Sequence, residues 1–263
     1  MAQSLNYLGL LYVELQKYEK AQKECEEALE IWRKLAENAP NTYQTYLPLN
    51  LNILGLLHFE LQNYDEMEQV FSECLRIMEN QLNYDYKSTN LSHYWLGVAL
   101  CRQEKYEQAI PHFNIYSSFY PNDIRTYYYL NHAYSSIHDF PNALKHGILL
   151  KDAEQQEDPH NLGNLSYYAV GAGQFKDAED YARQALALDA TQTWIKTNLV
   201  TACLFQGKHE EAKEIALEIK DLDYGDGTTF RDSILEDLKL FEEIGIVPER
   251  YKDDVARLKK LLK

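Results

Sequence analysis

Proline and glycine are scarce in this chain, 7 and 11 among 263 residues. So few breakers and turn formers leave a mostly helical chain with short turns. No apolar run is long enough to cross a bilayer, and no charged-then-apolar leader opens the sequence. Cations are also short: 26 Lys and Arg stand against 41 Asp and Glu, a formal charge of −15. That balance argues against nucleic acid and anionic membrane as partners, because both need basic surface. Two readings of the acidity stay open, a solvated surface that maintains solubility and an electrostatic preference for a basic partner. The four cysteines, Cys25, Cys74, Cys101 and Cys203, include no CxxC pair. Each falls in a predicted helix, which points to buried free thiols in a reducing, cytoplasmic compartment.

What the chain does have is a repeat. Hydrophobic residues make up 45%, which excludes wholesale disorder, and tyrosine is abundant at 21. Six times an aromatic residue or histidine stands three positions before an alanine or its stand-in. The pairs are Tyr18/Ala21, Tyr64/Met67, Tyr106/Ala109, Phe140/Ala143, Phe175/Ala178 and His209/Ala212, spaced by 46, 42, 34, 35 and 34 residues. A near-constant period of this size marks an array of helix pairs, none of which can bury its apolar face alone.

The first helix of each pair carries a second signal. Leu8-Gly9, Leu54-Gly55 and Leu96-Gly97 occupy one place in the first three units, and Asn131, Ser166 and Val200 hold the glycine's place in the others. A glycine there lets the partner helix approach closely, a benefit that must exceed its helix-propensity cost of about 1 kcal/mol. The second helices place small or apolar residues at i, i+4, i+7 and i+8, as in Ala21, Cys25, Ala28 and Leu29. Short turns join the two helices at Gln16-Lys17, Gln62-Asn63, Glu104-Lys105, His138-Asp139, Gly173-Gln174 and Gly207-Lys208. Only two of them carry the glycine expected of a helix C-cap.

These features together resemble the tetratricopeptide repeat family, in a bacterial-type array with some long-helix repeats. The resemblance implies an all-α fold, a right-handed α-α superhelix of about six helix pairs over residues 1–222. The repeats lie near 3–37, 49–82, 91–122, 125–156, 160–190 and 194–222. Residues 223–263 read as a loop followed by C-terminal capping helices, with Thr229 as a candidate helix cap and charge on the outward faces. No such cap precedes the first repeat, so the reading expects either a missing upstream portion or an exposed first helix, and self-association through the N-terminal repeat.

In this family the first helix of each pair lines a concave groove. The corresponding stripe nominates Asn6, Asn52, Tyr94, Arg125, Tyr128, His132, Tyr167, Trp194 and Thr197 as partner-binding residues. The two asparagines suit a peptide backbone, and the aromatic residues suit anchoring contacts. The family's two-carboxylate clamp does not carry over: Asn6 and Leu10 stand where lysine and asparagine belong, and Leu91 and Trp95 where lysine and arginine belong.

No catalytic, cofactor or metal constellation emerges. The run from Asp221 to Gly227 puts Gly225 where a calcium loop needs its third acid. Gly171-Ala172-Gly173 lacks a third glycine and a preceding strand. The eight histidines form no HExxH or other tight ligand pair, and the acidic pairs lie on charged helix faces. Asn90-Leu91-Ser92 and Asn164-Leu165-Ser166 match a glycosylation acceptor but fall in predicted helices. The expected function is a non-catalytic scaffold that binds a protein or peptide in its groove. The alternative is a regulatory or sensor domain of a larger enzyme or signalling protein.

Overall fold

The structure is a computed structural model that describes residues 1–79, 86–154, 157–225 and 227–263, with nothing said of the side chains of 41 and 86–88. The ends of the second and fourth expected repeats, at 80–82 and 155–156, and Asp226 of the rejected calcium loop lie outside the described residues. The fold is all-α in successive antiparallel helix pairs, with one small ribbon. The chain divides into two compact units, 1–129 and 130–263.

In the first unit α1 (Ala2–Glu14) packs on α2 (Tyr18–Asn38), α4 (Tyr46–Glu60) on α5 (Tyr64–Glu79), and α6 (Tyr86–Arg102) on α7 (Tyr106–Phe119). The 46-residue first spacing is taken up by α2, 21 residues long, and by a short α3 (Pro40–Tyr43). Trp32 near the end of α2 is buried and stacks on Tyr46 at 4.4 Å, so the extended helix is held by packing. The helix α8 (Ile124–Ser136) contributes its first part to this unit and its remainder to the second.

In the second unit α9 (Phe140–Ala153) is followed by α10 (Pro159–Gly171) on α11 (Phe175–Leu188), and by α12 (Ile195–Leu204) on α13 (His209–Ile219). The segment expected as a loop holds a two-stranded antiparallel ribbon, β1 (Asp223–Gly225) with β2 (Thr228–Thr229). Thr229 then caps α14 (Phe230–Glu243) through a reciprocal box with Asp232, whose carboxylate accepts from the Thr229 backbone N–H at 2.8 Å. A 3₁₀ turn (Glu249–Tyr251) leads into α15 (Lys252–Leu262).

The repeated residues meet where the two helices of a pair come closest. All six of Ala21, Met67, Ala109, Ala143, Ala178 and Ala212 are fully buried. A Cβ on Gly9 would run into Cys25 Sγ, and one on Gly55 into the Phe71 ring. One on Gly97 would lie 2.9 Å from Phe113. Two of the three units without this glycine solve the same contact with a hydrogen bond. Asn131 Nδ2 donates to the carbonyl of Ala143 at 2.8 Å, and Ser166 Oγ to that of Ala178 at 2.7 Å. Both acceptors belong to the repeated alanine, so glycine and a small polar residue are two answers to one close approach. Val200, in the sixth unit, is fully buried.

The six turns share one backbone geometry. Gln16, Gln62, Glu104, His138, Gly173 and Gly207 all have positive φ, from 55° to 84°. After each, the next residue's N–H returns to the carbonyl five positions earlier, as in Lys17 to Tyr12 at 2.8 Å and Lys105 to Leu100 at 2.9 Å. Four of these left-handed positions are occupied by residues with a Cβ.

Two of the turns also clamp the preceding repeat. Gln103 Nε2 donates to the Tyr64 carbonyl at 3.0 Å and to Glu68 at 2.9 Å, and Lys105 reaches the same carboxylate at 2.8 Å. Gln206 and Lys208 repeat the arrangement on the Phe175 carbonyl and Glu179. Burial pushes both carboxyls up, but the hydrogen bonds outweigh it and hold them below the usual carboxylate range.

The strained turns yield a stability expectation. A left-handed residue with a Cβ costs about 1–2 kcal/mol, while glycine loses roughly 0.5–1 kcal/mol more backbone freedom on folding. Glu104 is exposed, so Glu104→Gly should stabilise the protein by up to about 1 kcal/mol. A thermal melt would show a raised midpoint; a lowered one would contradict this account of the turn.

Candidate partner-binding site

The nine nominated residues divide between the two units. In the first, Asn6 was expected at a groove, but its side chain is buried and its Oδ1 accepts from Asn50. Asn52 is partly buried, and its Oδ1 accepts from Ser92 at 3.0 Å and from the Cys74 thiol at 3.4 Å. The amide oxygens of both asparagines are thereby taken up inside the unit. Tyr94 is also closed into the core, edge-on to Phe113 at 6.0 Å and tilted against Tyr116 at 5.0 Å. Burial pushes its hydroxyl well up, Tyr129 adding to the effect. The Arg125 guanidinium covers that ring at 5.1 Å and is itself held by Asp123 at 2.6 Å. Tyr128 stands open at 59% exposure. The stripe inferred for this unit therefore leaves Arg125 and Tyr128 as its outward-facing members.

In the second unit the stripe gathers. His132 on α8, Tyr167 on α10, and Trp194 and Thr197 at the start of α12 all line one cavity of about 410 Å³. Each wall is fixed by its element. Trp194 precedes α12, where its indole Nε1 donates to Gln192 at 3.0 Å. Its ring sits over Gly163, where a Cβ would collide with it. Thr197 Oγ1 turns back to the Trp194 carbonyl at 2.8 Å, and Asn198 Nδ2 donates to the Gly163 carbonyl at 2.9 Å. Tyr167 packs edge-on to Phe140 at 5.4 Å and against Phe241 at 5.8 Å.

The C-terminal segment supplies walls that the stripe did not include. Tyr224 of β1 and Ser233 and Asp237 of α14 line the same cavity. Phe241 is fully buried between Phe140, Tyr167 and Phe205, which brings α14 against this face. Asp237 is partly buried, and among the described residues no hydrogen bond or ion pair engages its carboxyl. Burial, helped by Glu236, pushes that carboxyl up to about 7. A sequence signal existed: Asp237 lies on the stripe of Phe230, Ile234 and Phe241, where an apolar residue is the norm.

Other titratable clusters are internally satisfied. His93 and His112, distant in sequence, meet through their Nδ1 atoms at 2.8 Å. Burial pushes both imidazoles down, His93 to about 4 with His112 adding to it, so they form a neutral bonded pair. Glu179, Cys203 and Glu211 are close enough together to hold a cation. Lys208 and Arg183 already occupy the two carboxylates, and burial pushes the Cys203 thiol up to about 12. No helix among the described residues is long and apolar enough to cross a membrane.

Comparison with known proteins agrees with the repeats. Family models described as tetratricopeptide repeat match residues 1–39, 50–81 and 169–228. Among solved structures, MamA from residue 41 onward of Desulfovibrio magneticus RS-1 is 19% identical. The match covers 73% of this chain and 96% of that one, with a TM-score of 0.55. YrrB, described as a TPR protein with an unusual peptide-binding site, is 16% identical over 73% of this chain and 88% of its own, with a TM-score of 0.57. A tetratricopeptide repeat protein from Parabacteroides merdae ATCC 43184 is 12% identical, covering 99% of this chain and 98% of its own, with a TM-score of 0.54. No curated protein matches the chain.

The raised carboxyl has a thermodynamic consequence with a definite sign. In the unfolded chain Asp237 ionises near its ordinary 3.8; in the fold it does so near 7. The folded state thus binds more protons between those values, and stability falls as pH rises from about 4 through about 7. The upper bound is about 4 kcal/mol, lowered by solvent screening because the side chain is only partly buried. Asp237→Asn should raise the melting midpoint more at pH 8 than at pH 5.5. Equal gains at the two values would contradict the assignment.

Proposed function

The chain belongs to the tetratricopeptide repeat family, and from that premise we propose that it is a non-catalytic scaffold that holds a peptide segment or partner helix against its second unit. Tetratricopeptide repeats generally serve as protein-interaction scaffolds, and no catalytic family is indicated. The observation that carries the finer reading is the convergence of His132, Tyr167, Trp194 and Thr197 on one cavity. Its walls combine aromatic area with polar tips, the composition of anchoring sites at protein interfaces. Four buried thiols, pushed up to about 11 or 12 by burial, suit a reducing cytoplasm.

The test begins with affinity capture from the native host and identification of bound proteins by mass spectrometry. Affinities of purified partner are then measured for the parent, His132→Ala, Trp194→Ala and the control Glu214→Ala on the exposed side of α13. Loss of a true anchor should weaken binding at least about 30-fold, a cost of about 2 kcal/mol, and the control should bind like the parent. A partner indifferent to both cavity variants, with native circular dichroism, would overturn the assignment of this face.

A further inference from the structure

Resting on the interaction reading above, we propose that the second-unit cavity receives a cationic side chain, a lysine or arginine of the partner segment. Asp237 supplies the counter-charge, and Tyr167, Trp194 and Tyr224 supply ring walls.

Charge is the first constraint on the occupant. Among the residues lining the cavity there is no lysine or arginine; the ionisable ones are Asp237, His132, His138 and the tyrosines. Several buried or partly buried carboxylates have cations of their own, Lys105 on Glu68, Lys208 on Glu179, Arg125 on Asp123 and Arg257 on Asp254, and Asp139, Glu154 and Asp189 accept neutral hydrogen bonds. Asp237 instead faces a cavity. A buried polar group without a partner is costly, so an occupant that completes it gains more than one that merely fills space. An apolar side chain would leave the carboxyl unsatisfied, and an anion would be repelled by it.

The walls fit the same occupant. Ring faces attract an ammonium or guanidinium within about 6 Å, an arrangement this chain already uses with Arg125 over Tyr94. Asn164 and Ser233 add neutral oxygen acceptors at the cavity. At about 410 Å³ the space lies toward the small end of ligand sites, which run from roughly 300 to 1,000 Å³. The formal charge of −15 draws cations toward the protein as a whole.

Protonation must enter the expected behaviour. Burial and the neighbouring Glu236 carry the Asp237 carboxyl up to about 7, so it is a full anion only above neutrality. A cation would bind better as pH rises, and its binding would release a proton. Glu236 on its own helix and Tyr167 on α10 act on Asp237 electrostatically, and Tyr168, Tyr224, His132 and His138 line the same cavity. Because several ionisable groups line the cavity, the Asp237 contribution is isolated by substitution.

The probes are n-butylammonium and n-butylguanidinium, with n-butanol as the neutral control. Each is titrated into the full chain at pH 6 and pH 8 while the indole N–H resonance of Trp194 is followed. At least one cation should give a saturable shift, at least threefold tighter at pH 8, and butanol should give none; the preferred cation tells lysine from arginine. Asp237→Asn should weaken cation binding at least tenfold and flatten its pH dependence. Tyr224→Leu, on an exposed ring, should weaken it severalfold with circular dichroism unchanged. Butanol binding as well as the cations, retained affinity in Asp237→Asn, or no saturation by about 10 mM, tenfold above the 1 mM that corresponds to about −4 kcal/mol, would each overturn the proposal. If partner binding is lost in Trp194→Ala while no cation binds, the scaffold reading stands and this inference falls. Cation binding without partner contact at this face does the reverse.

Discussion

Everything in this architecture depends on how closely the two helices of a pair can approach at one recurring place. The second helix presents a fully buried alanine, or Met67, and in five of the six pairs the first helix carries glycine, asparagine or serine at the facing place, the sixth holding the buried Val200. Glycine meets it by having no side chain at all, with Cys25, Phe71 or Phe113 filling the space. Asn131 and Ser166 meet it by bonding the alanine's carbonyl. The second solution adds a directional bond in an interior where an unpaired polar group would be costly. With this contact set, the left-handed turn geometry follows, because the short connection must reverse the chain within a few residues.

Polar groups in the interior then separate into two kinds. Glu68 and Glu179 are completed by glutamine and lysine from the next turn, and they tie one repeat to the one before it. His93 and His112 complete each other. Asp237 is completed by nothing within the described chain, and it lies where four of the nominated binding residues converge. A carboxyl that lines a cavity, has no cation of its own among the described residues and is raised by burial is the pattern of a functional-site group.

Much of this was legible in the sequence, and the failures have physical causes. The period, the Leu-Gly register, the extended α2 and the Thr229 cap all express local rules, and local rules leave a readable spacing. The left-handed turns were half legible: glycine marks two, while Gln16, Gln62, Glu104 and His138 adopt the same backbone without that signature. The nominated stripe mixes residues of different depth, Asn6 and Tyr94 buried and Tyr128 exposed. A helix face is assigned by angle, and one position of angle separates Tyr94, sealed under Arg125, from an open anchor. Asn6 was misplaced for the same reason, since its partner Asn50 is 44 residues away. The largest omission was Asp237, because a tertiary placement of α14 against Tyr167 and Phe205 has no counterpart in the repeat pattern. The clamp on Glu68 and Glu179 left a faint trace, Gln103-Glu104-Lys105 and Gln206-Gly207-Lys208, each answering a glutamate four residues after the aromatic.

The central claim is that Gly55 and Phe71 share one space, so that the identity of each limits the other. A double-mutant cycle of Gly55→Ala and Phe71→Leu, with unfolding free energies from denaturant melts, tests it directly. The account predicts that Gly55→Ala alone destabilises, that the smaller leucine relieves part of that loss, and that the coupling exceeds about 0.5 kcal/mol, the level at which contacting residues depart from additivity. Additive effects of the two substitutions would contradict it.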